Sequence, residues 1–528
     1  MKPVFFELQR YDTQSMSMYN ISTEILMENV AYGMSCFIKK LIKKCKKNRR
    51  PKSLVSRISV CIVCGSGNNG GDGFALARML CDYADVKVFA LGTKLSPLCK
   101  LQLDRLNLLK VPVTHIETSS CENLPNDYFS CDILVDAFLG TGLHNTLKDY
   151  AQNIISALNA TEAIKVSCDV PSGLDAYGNP SPIAFVADYT LTAGALKEML
   201  FSDNAKDYVG CVKLVKLGIP SPAYSPTNEA NVFLLTNKDL HLPKRRLKKC
   251  HKGMFGHVAV FVGEKEGAAV LAAMAALKSG AGLVSVCGEK PMNLPSDIMY
   301  AKNIFSASSY CIGPGLTSNA EEIVSEFICN YKHDTELQVS LQTSSISDNT
   351  SAHKSGSPVG AMCDSPVVFD ADALKTLSLA KNLSKLSRIV ITPHPLEFCV
   401  LIQNLYSENQ LDSEMKHVIT MPFTTKALQE RPFLIAHTFS KQFPKLVLVL
   451  KGANPIIAHN GKLYVCTSGT NALAKAGSGD VLAGIIVSLL AQGYSPLDAA
   501  CSGTLMHARA SHCKKTYSST ATELIKRI

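Results

Sequence analysis

Two stretches of this chain gather residue types able to do chemistry. In one, Ala476-Gly477-Ser478-Gly479-Asp480 runs directly into the apolar segment Val481-Leu482-Ala483. A glycine turn that opens a helix presents free backbone N–H groups and the positive end of the helix dipole. That suits a phosphoryl group whose charge grows during transfer. Asp480, just inside the turn, stands where it can accept a proton from an attacking hydroxyl. The same residues would also serve as a plain helix start with an acidic cap.

In the other, Cys64-Gly65-Ser66-Gly67-Asn68-Asn69-Gly70-Gly71-Asp72-Gly73 follows an apolar run and opens a helical pattern. Its glycines let N–H groups converge on an anion, although it is neither a GxGxxG fingerprint nor a P-loop. Val135-Asp136-Ala137-Phe138-Leu139-Gly140-Thr141-Gly142 and Ser167-Cys168-Asp169-Val170-Pro171-Ser172-Gly173 place Asp136, Asp169 and Ser172 at the ends of two more apolar runs. In an open parallel sheet ligands bind beyond the carboxyl ends of the strands, so three polar strand ends imply one pocket. The side-chain carbonyl of Asn69, the carboxylate of Asp136 and the hydroxyl of Ser172 are hard oxygen ligands suited to a simple cation. Asp169 is the candidate acid/base, with Lys197 second; a turn or cap role is the plainer alternative for Asp169.

The elements that must position these residues alternate along the chain. Short β-branched runs at 58–64, 86–91, 133–138, 164–170 and 212–217 read as strands, with a helix over 74–83 and a long helix over 23–44. Prolines 220, 222 and 226 followed by a basic run read as a linker over 221–239. Strand patterns resume at 258–262, 283–287, 310–312, 367–369, 389–391 and 446–450, with a helix over 268–279. The expectation is two α/β domains, 1–220 and 240–528, each a parallel sheet covered by helices. Residues 340–366 are Ser-rich and aperiodic, and are expected to be a disordered insertion.

Composition narrows the class. A chain of 528 residues with 46% hydrophobic and 19% charged residues folds into more than one core. Its net charge of +10 is concentrated at 39–52 and 244–252. Neither cluster has the interleaved aromatics that stack on bases, so no nucleic-acid partner is expected. The 19 cysteines show no zinc spacing, and Cys61 and Cys64 of Cys61-Ile62-Val63-Cys64 lie in an apolar run that reads as a buried strand, as in a reducing compartment. No signal-type h-region or membrane-spanning run is seen, so a cytoplasmic protein without membrane contact is expected.

The first constellation resembles the NAD(P)H-hydrate epimerase domain of the YjeF amino-terminal type. The second resembles the NAD(P)H-hydrate dehydratase of the ribokinase-like superfamily. The dehydratase likeness rests on His251-Lys252-Gly253, Gly267-Ala268, Gly313-Pro314-Gly315, Asp370-Ala371-Asp372, Thr392-Pro393-His394-Pro395, Lys451-Gly452-Ala453 and Gly477–Asp480, in that order. The resemblance implies a Rossmann-like three-layer α/β/α domain followed by a ribokinase-like α/β/α domain. It implies a potassium ion held by Asn69, Asp136 and Ser172. Epimerase substrate contacts would come from Asn68, Asn69, Gly70, Gly71, Asp72, the loop Gly140, Thr141, Gly142, Leu143, His144, Asn145 and Thr146, and Asp169.

For the dehydratase, the resemblance implies that a nucleotide, ADP or ATP with Mg2+, phosphorylates the C6 hydroxyl of the hydrated ring. Asp480 would be the base. Ala268, Gly315 and His394 would touch the hydrate, and Lys451, Gly452, Ala453, Asn454, Pro455 and Gly479 the nucleotide. Fusion to the epimerase resembles the bacterial arrangement, which points to ADP. The partners implied are small molecules, with a homo-oligomer expected.

Several residues depart from the family pattern. The loop Gly263-Glu264-Lys265-Glu266-Gly267 is short, Gly315 is followed by Leu-Thr, Leu396 replaces a glycine, and Asn454-Pro455 replaces a hydroxyl-bearing segment. The competing readings are a small-molecule kinase of the same superfamily and an amino-terminal module that only binds.

Overall fold

The chain divides into two units, one of residues 3–231 and one of residues 232–528 together with 1–2. The computed structural model describes all residues except 7, 49–56, 118–120, 122–124, 126, 144, 247, 305 and 332–364. His144 and nearly all of the Ser-rich stretch 340–366 therefore lie outside the described residues. The boundary falls inside the stretch that the sequence marks as a linker. On one side of it Ser221–Tyr224 is helical, and on the other 232–234 is a strand.

The amino-terminal unit contains β1 (Lys2–Phe5), β2 (Ser59–Cys64), β3 (Asp85–Leu91), β4 (Val113–Ile116), β5 (Ile133–Ala137), β6 (Ile164–Cys168), β7 (Tyr189–Ala193), β8 (Leu196–Lys197) and β9 (Cys211–Val215). Seven of these form one parallel sheet in the order β4-β3-β2-β5-β6-β7-β9. The chain leaves β2 toward one edge and returns at β5 on its other side. The β2/β5 crevice is thus a topological switch point, where such sheets hold ligands. Val63 pairs with Asp136 and Cys64 with Ala137, so both loops emerge together at that crevice. The helix Thr23–Asn48 buries Leu26, Met27, Val30, Ala31, Met34, Ile38, Leu41 and Ile42, a three-and-four spacing that makes one apolar stripe. Each large side chain so buried contributes about 1.5–3 kcal/mol.

The glycine-rich segment after β2 differs from the expected turn. A helix runs Asn68–Leu80, capped by Gly67, so Asn68 to Gly73 are helical. Two glycines allow this early start: a Cβ on Gly70 would lie 1.9 Å from the Gly65 carbonyl oxygen, and one on Gly65 1.9 Å from that of Phe138.

The second unit contains β10 (Val232–Leu234), β11 (His257–Phe261), β12 (Leu283–Cys287), β13 (Met299–Ala301), β14 (Ser309–Ile312), β15 (Val367–Phe369), β16 (Ile389–Ile391), β17 (Leu446–Leu450), β18 (Ile456–His459) and β19 (Lys462–Val465). Their order is β13-β12-β11-β14-β15-β16-β17-β18-β19-β10. Pairing is parallel from β13 through β17, but β18 is antiparallel to both β17 and β19. The all-parallel expectation fails there because Asn460-Gly461, both at positive φ, makes a two-residue hairpin turn.

The helix Ser478–Ala491 is buried from Val481 to Leu490. It crosses the helix Glu266–Lys278 so closely that a Cβ on Gly484 would meet the Ala272 carbonyl oxygen at 2.2 Å. Among the described residues no helix is long and apolar enough to cross a membrane.

Candidate active sites

In the amino-terminal unit, Asp136 at the end of β5 is fully buried. Its carboxylate accepts the Ser172 hydroxyl at 2.6 Å, the Ser172 N–H at 2.8 Å and the Phe138 N–H at 3.2 Å. Burial pushes this carboxyl up to about 6, against the pull of those hydrogen bonds. Among the described residues no cationic side chain pairs with it. Asn69 donates its side-chain N–H to the Leu139 carbonyl at 2.9 Å, while its buried Oδ1 has no hydrogen-bond partner among the described residues. A buried carboxylate without a counter-charge beside a buried acceptor without a donor is the signature a monovalent cation would satisfy. Asn69, Asp136 and Ser172 therefore fit the group proposed for them.

The loop 140–146 starts against this cage, where a Cβ on Gly140 would stand 3.3 Å from Cβ of Asn69. Thr141, Gly142, Asn145 and Thr146 are exposed and Leu143 half-buried, so the loop faces solvent. Asn68 accepts the Ser96 hydroxyl at 2.8 Å.

Asp169, immediately after β6, sits at φ +66°. A left-handed backbone is costly for a residue with a Cβ, and aspartate is among the few that tolerate it. Its Oδ1 collects Lys197 Nζ at 2.5 Å, the Ala193 N–H at 3.0 Å and the Thr192 hydroxyl at 3.4 Å. All three donors gather on one oxygen, which leaves Oδ2 to meet a ligand. Lys197 on β8 is nearly buried and also reaches Thr192 Oγ1 and the Ala193 carbonyl. Asp72 belongs to the same charge cluster: burial pushes its carboxyl well up, as does Asp169, while Lys197 pulls it down.

Sequence reading missed two members of this cluster. Asp12, in the helix Gln9–Tyr19, feels the charges of both Lys197 and Asp169, and Tyr224 donates to it at 2.6 Å. Neither residue lies in a glycine-rich or strand-end motif, so spacing carried no signal for them.

In the second unit the chemistry gathers beyond the carboxyl ends of β14, β15, β16 and β17. Gly477, at φ +85°, caps the helix Ser478–Ala491 and puts Asp480 in its first turn. Burial pushes the Asp480 carboxyl up to about 7; Asp370 pushes the same way, the Lys451 ammonium opposes, and Glu397 and Asp372 add to the rise. Lys451 bonds Asp370 at 2.8 Å and lies 3.6 Å from Glu397. Burial works against its charge, but Asp370, Glu397 and Asp480 together hold its pKa above the ordinary lysine value. A Cβ on Gly479 would stand 3.3 Å from Lys451 Nζ, so the lysine lies over the glycine cradle.

Asp370 and Glu397 were not singled out in the sequence, although each follows a strand end. Their signal was position: one residue after β15 and six after β16. His394 caps the helix Pro395–Ser407, with Nδ1 accepting the Leu396 and Glu397 N–H groups and Nε2 3.1 Å from Glu397. Its ring nitrogens are thus engaged within the protein, and a ligand would meet the half-exposed ring edge.

Ala268 and Gly315 adjoin one another, since a Cβ on Gly315 would lie 3.1 Å from that of Ala268. Asn454 is buried, in the segment 452–455 that follows Lys451 into β18. His507, on the helix Pro496–Ala510, is a further residue that the sequence did not flag. Burial pushes it down to about 4, it hydrogen-bonds the Ser478 backbone, and among the described residues its Nε2 has no partner. It borders the cradle as a neutral ring.

Family models match both halves: the YjeF-related protein N-terminus over residues 23–199, and NAD(P)H-hydrate dehydratase over residues 361–528. A bifunctional NAD(P)H-hydrate repair enzyme Nnr of Helicobacter pylori is 34% identical over 535 residues, spanning 100% of this chain and 99% of its own. The Nnr proteins of Dictyoglomus turgidum and Escherichia coli are 29% and 32% identical, covering 98% and 85% of this chain and 96% and 79% of theirs. Among solved structures, a ribokinase-like superfamily protein of Enterococcus faecalis covers 56% of this chain and 93% of its own, with 20% identity and a TM-score of 0.40. The ADP/ATP-dependent NAD(P)H-hydrate dehydratase of Bacillus subtilis, co-crystallised with ATP/Mg2+, covers 54% and 91% with 23% identity and a TM-score of 0.37. With an epimerase-type half and a dehydratase half matched, and the likeness running end to end, the chain belongs to the family of bifunctional NAD(P)H-hydrate repair enzymes.

Proposed function

We propose that Asp480 is the base of the dehydratase and Asp169 the acid/base of the epimerase, with ADP as the phosphoryl donor and potassium in the Asn69 cage. The observation that carries the reading is Asp480 itself, a carboxyl held near neutrality in the first turn of a buried helix beneath Lys451.

In the dehydratase, the N–H groups of Gly477–Gly479 and the Lys451 ammonium would receive the phosphates. Asp480 would take the proton of the C6 hydroxyl as its oxygen forms a bond to phosphorus and the bond to the departing nucleotide breaks. Departure of phosphate from C6 with loss of a proton from the neighbouring carbon then restores the ring double bond. Among the described residues no three His, Cys, Asp or Glu side chains gather as a metal cage. Magnesium would accordingly enter on the phosphates of the nucleotide. Support for ADP is the fused, full-length arrangement shared with bacterial relatives.

In the epimerase, C6 inverts only if a bond at that carbon breaks and reforms on the other face. A proton must reach the departing atom and later leave the returning one. One carboxyl can do both in turn, and Asp169 Oδ2 is the oxygen left open for it. Potassium would supply fixed positive charge; Asn69, Asp136 and Ser172 would orient it beside the loop 140–146.

The test is incubation of the full chain with a mixture of R and S hydrates of NADH and either ADP or ATP. The reading expects absorbance of the reduced ring to return, faster with ADP, with nucleotide consumed in equal amount. A stable phosphorylated product with no recovered NADH would favour a small-molecule kinase instead.

A further inference from the structure

We propose that Asp12, held by Tyr224, is a positioning residue of the epimerising site: its carboxylate is the outer counter-charge that seats Lys197 on Asp169. Through that ammonium it bears on the pH profile of epimerisation. The inference rests on the assignment of Asp169 as acid/base.

The geometry converges from both ends of the unit. Asp12 and Tyr224 are 212 residues apart, yet the Tyr224 hydroxyl donates to Asp12 Oδ1 at 2.6 Å. The Tyr224 ring is buried against Gly194, where a Cβ would meet ring Cε1 at 2.8 Å and the hydroxyl oxygen at 2.9 Å. Gly194 adjoins Ala193, whose N–H binds Asp169 at 3.0 Å and whose carbonyl takes Lys197 at 3.2 Å. From the other flank β1 pairs with β8, setting Phe5 opposite Lys197. Phe5 meets Tyr11 edge-on at 5.3 Å, and Tyr11 lies 6.2 Å from the Tyr224 ring. The amino-terminal helix is thereby tied, through Phe5, to the strand that carries Lys197.

Charge gives the pair a role. Asp12, Asp72 and Asp169 act on the single ammonium of Lys197, so the three carboxylates outnumber their cation. Burial pushes Asp12 up, the Tyr224 hydrogen bond and Lys197 pull it down, and Asp169 adds to the rise. Of the other titratable neighbours, Tyr11, Arg10 and Glu229 bond among themselves; burial, with Asp72 and Asp169, pushes the Cys168 thiol well up, and burial pushes Glu198, the residue after Lys197, up to about 7. The charge of the pocket therefore depends on whether Asp12 is ionised. A negative neighbour favours the protonated form of each group it faces. Loss of the Asp12 charge must move both limbs of the epimerase pH profile toward acid.

The experiment is the pH dependence of kcat/KM for R-to-S conversion, read by separating the epimers, with the full chain and its D12N, D12E, Y224F and D12N/Y224F variants. The D12N profile is expected to move acid-ward by roughly half a unit to one unit, as for one partly screened charge. D12E is expected to return it toward the parent. Y224F, which lets Asp12 take up a proton more readily, should shift the profile in the same direction by less. The double variant should shift no further than D12N, because the tyrosine acts only through the aspartate.

A D12N profile that superimposes on the parent, or is scaled down uniformly without a shift, overturns the proposal. If D12N loses its fold, reported by loss of the first unit's cooperative melt, the Y224F profile decides in the same way. Failure of the underlying assignment looks different: D169N would then equilibrate the hydrates as fast as the parent.

Discussion

At the scale of single residues, Asp480 carries the sharpest expectation. Its carboxyl stands at about 7, so the ionised form that accepts a proton grows as pH rises through neutrality. Dehydratase kcat/KM should climb through that region and level off above it. Lys451 pulls this value down; without its ammonium, Asp480 would hold its proton to higher pH. K451M should therefore move the acid limb upward while raising the KM for nucleotide, both visible in one series of pH-resolved assays. D480N should lower the dehydratase rate by about 10²–10⁴-fold, the usual worth of a positioned base, and leave epimerisation intact. A second expectation concerns the buried pair Asp136 and Asn69. N69A should remove the activation of epimerase by added potassium chloride relative to a bulky organic cation. Unchanged activation in N69A would remove the reason for placing the ion there.

At the scale of elements, the Gly484 crossing can be tested at a residue that carries no reacting group. A methyl group there would run into the Ala272 carbonyl oxygen, forcing two buried helices apart. Overpacking of this kind costs about 1–3 kcal/mol, so G484A should lower the melting midpoint of the dehydratase unit. Because Asp480 lies one helical turn away, its kcat should fall as well.

The element scale also shows what was legible in the sequence. Apolar runs at 283–287, 367–369, 389–391 and 446–450 are observed strands at those same bounds, because strands buried on both faces read as unbroken β-branched segments. The antiparallel extension β18–β19 carried a readable signal in Asn460-Gly461 that the run-based reading passed over. The strand-end residues Asp136 and Asp169 and the helix-start residue Asp480 became candidates because a motif surrounds each. Asp370 lay in a motif but was given no role, and Asp12, Tyr224, Glu397 and His507 were passed over, since such groups act on partners distant in sequence: Asp12 reaches Tyr224 across 212 residues and Lys451 reaches Asp370 across 81. Spacing reveals groups that share one turn or one helix face, whereas long-range charge pairing exists only once the sheet is built.

At the scale of the whole molecule, all the site residues of one activity come from a single unit. Asp12, Asn69, Asp136, Asp169, Ser172, Lys197 and Tyr224 belong to the first unit, and Asp370, Glu397, Lys451, Asp480 and His507 to the second. Each unit has its own buried core. Two chains that each lack one activity should therefore complement each other, since the product of one reaction is the substrate of the other. Supplied with a mixed R and S hydrate pool and nucleotide, the D169N chain should restore NADH quickly from the S fraction and then slow to the spontaneous epimerisation rate. The D480N chain should equilibrate the epimers and restore none. An equimolar mixture of the two should bring the whole pool back to NADH at a rate rising with the concentration of each. Recovery by the intact chain that outpaces the mixture at every concentration, and resists dilution, would mean instead that the hydrate passes between units without release. Recovery that falls equally for both on dilution would show that the two sites communicate only through free substrate, as two self-contained cores require.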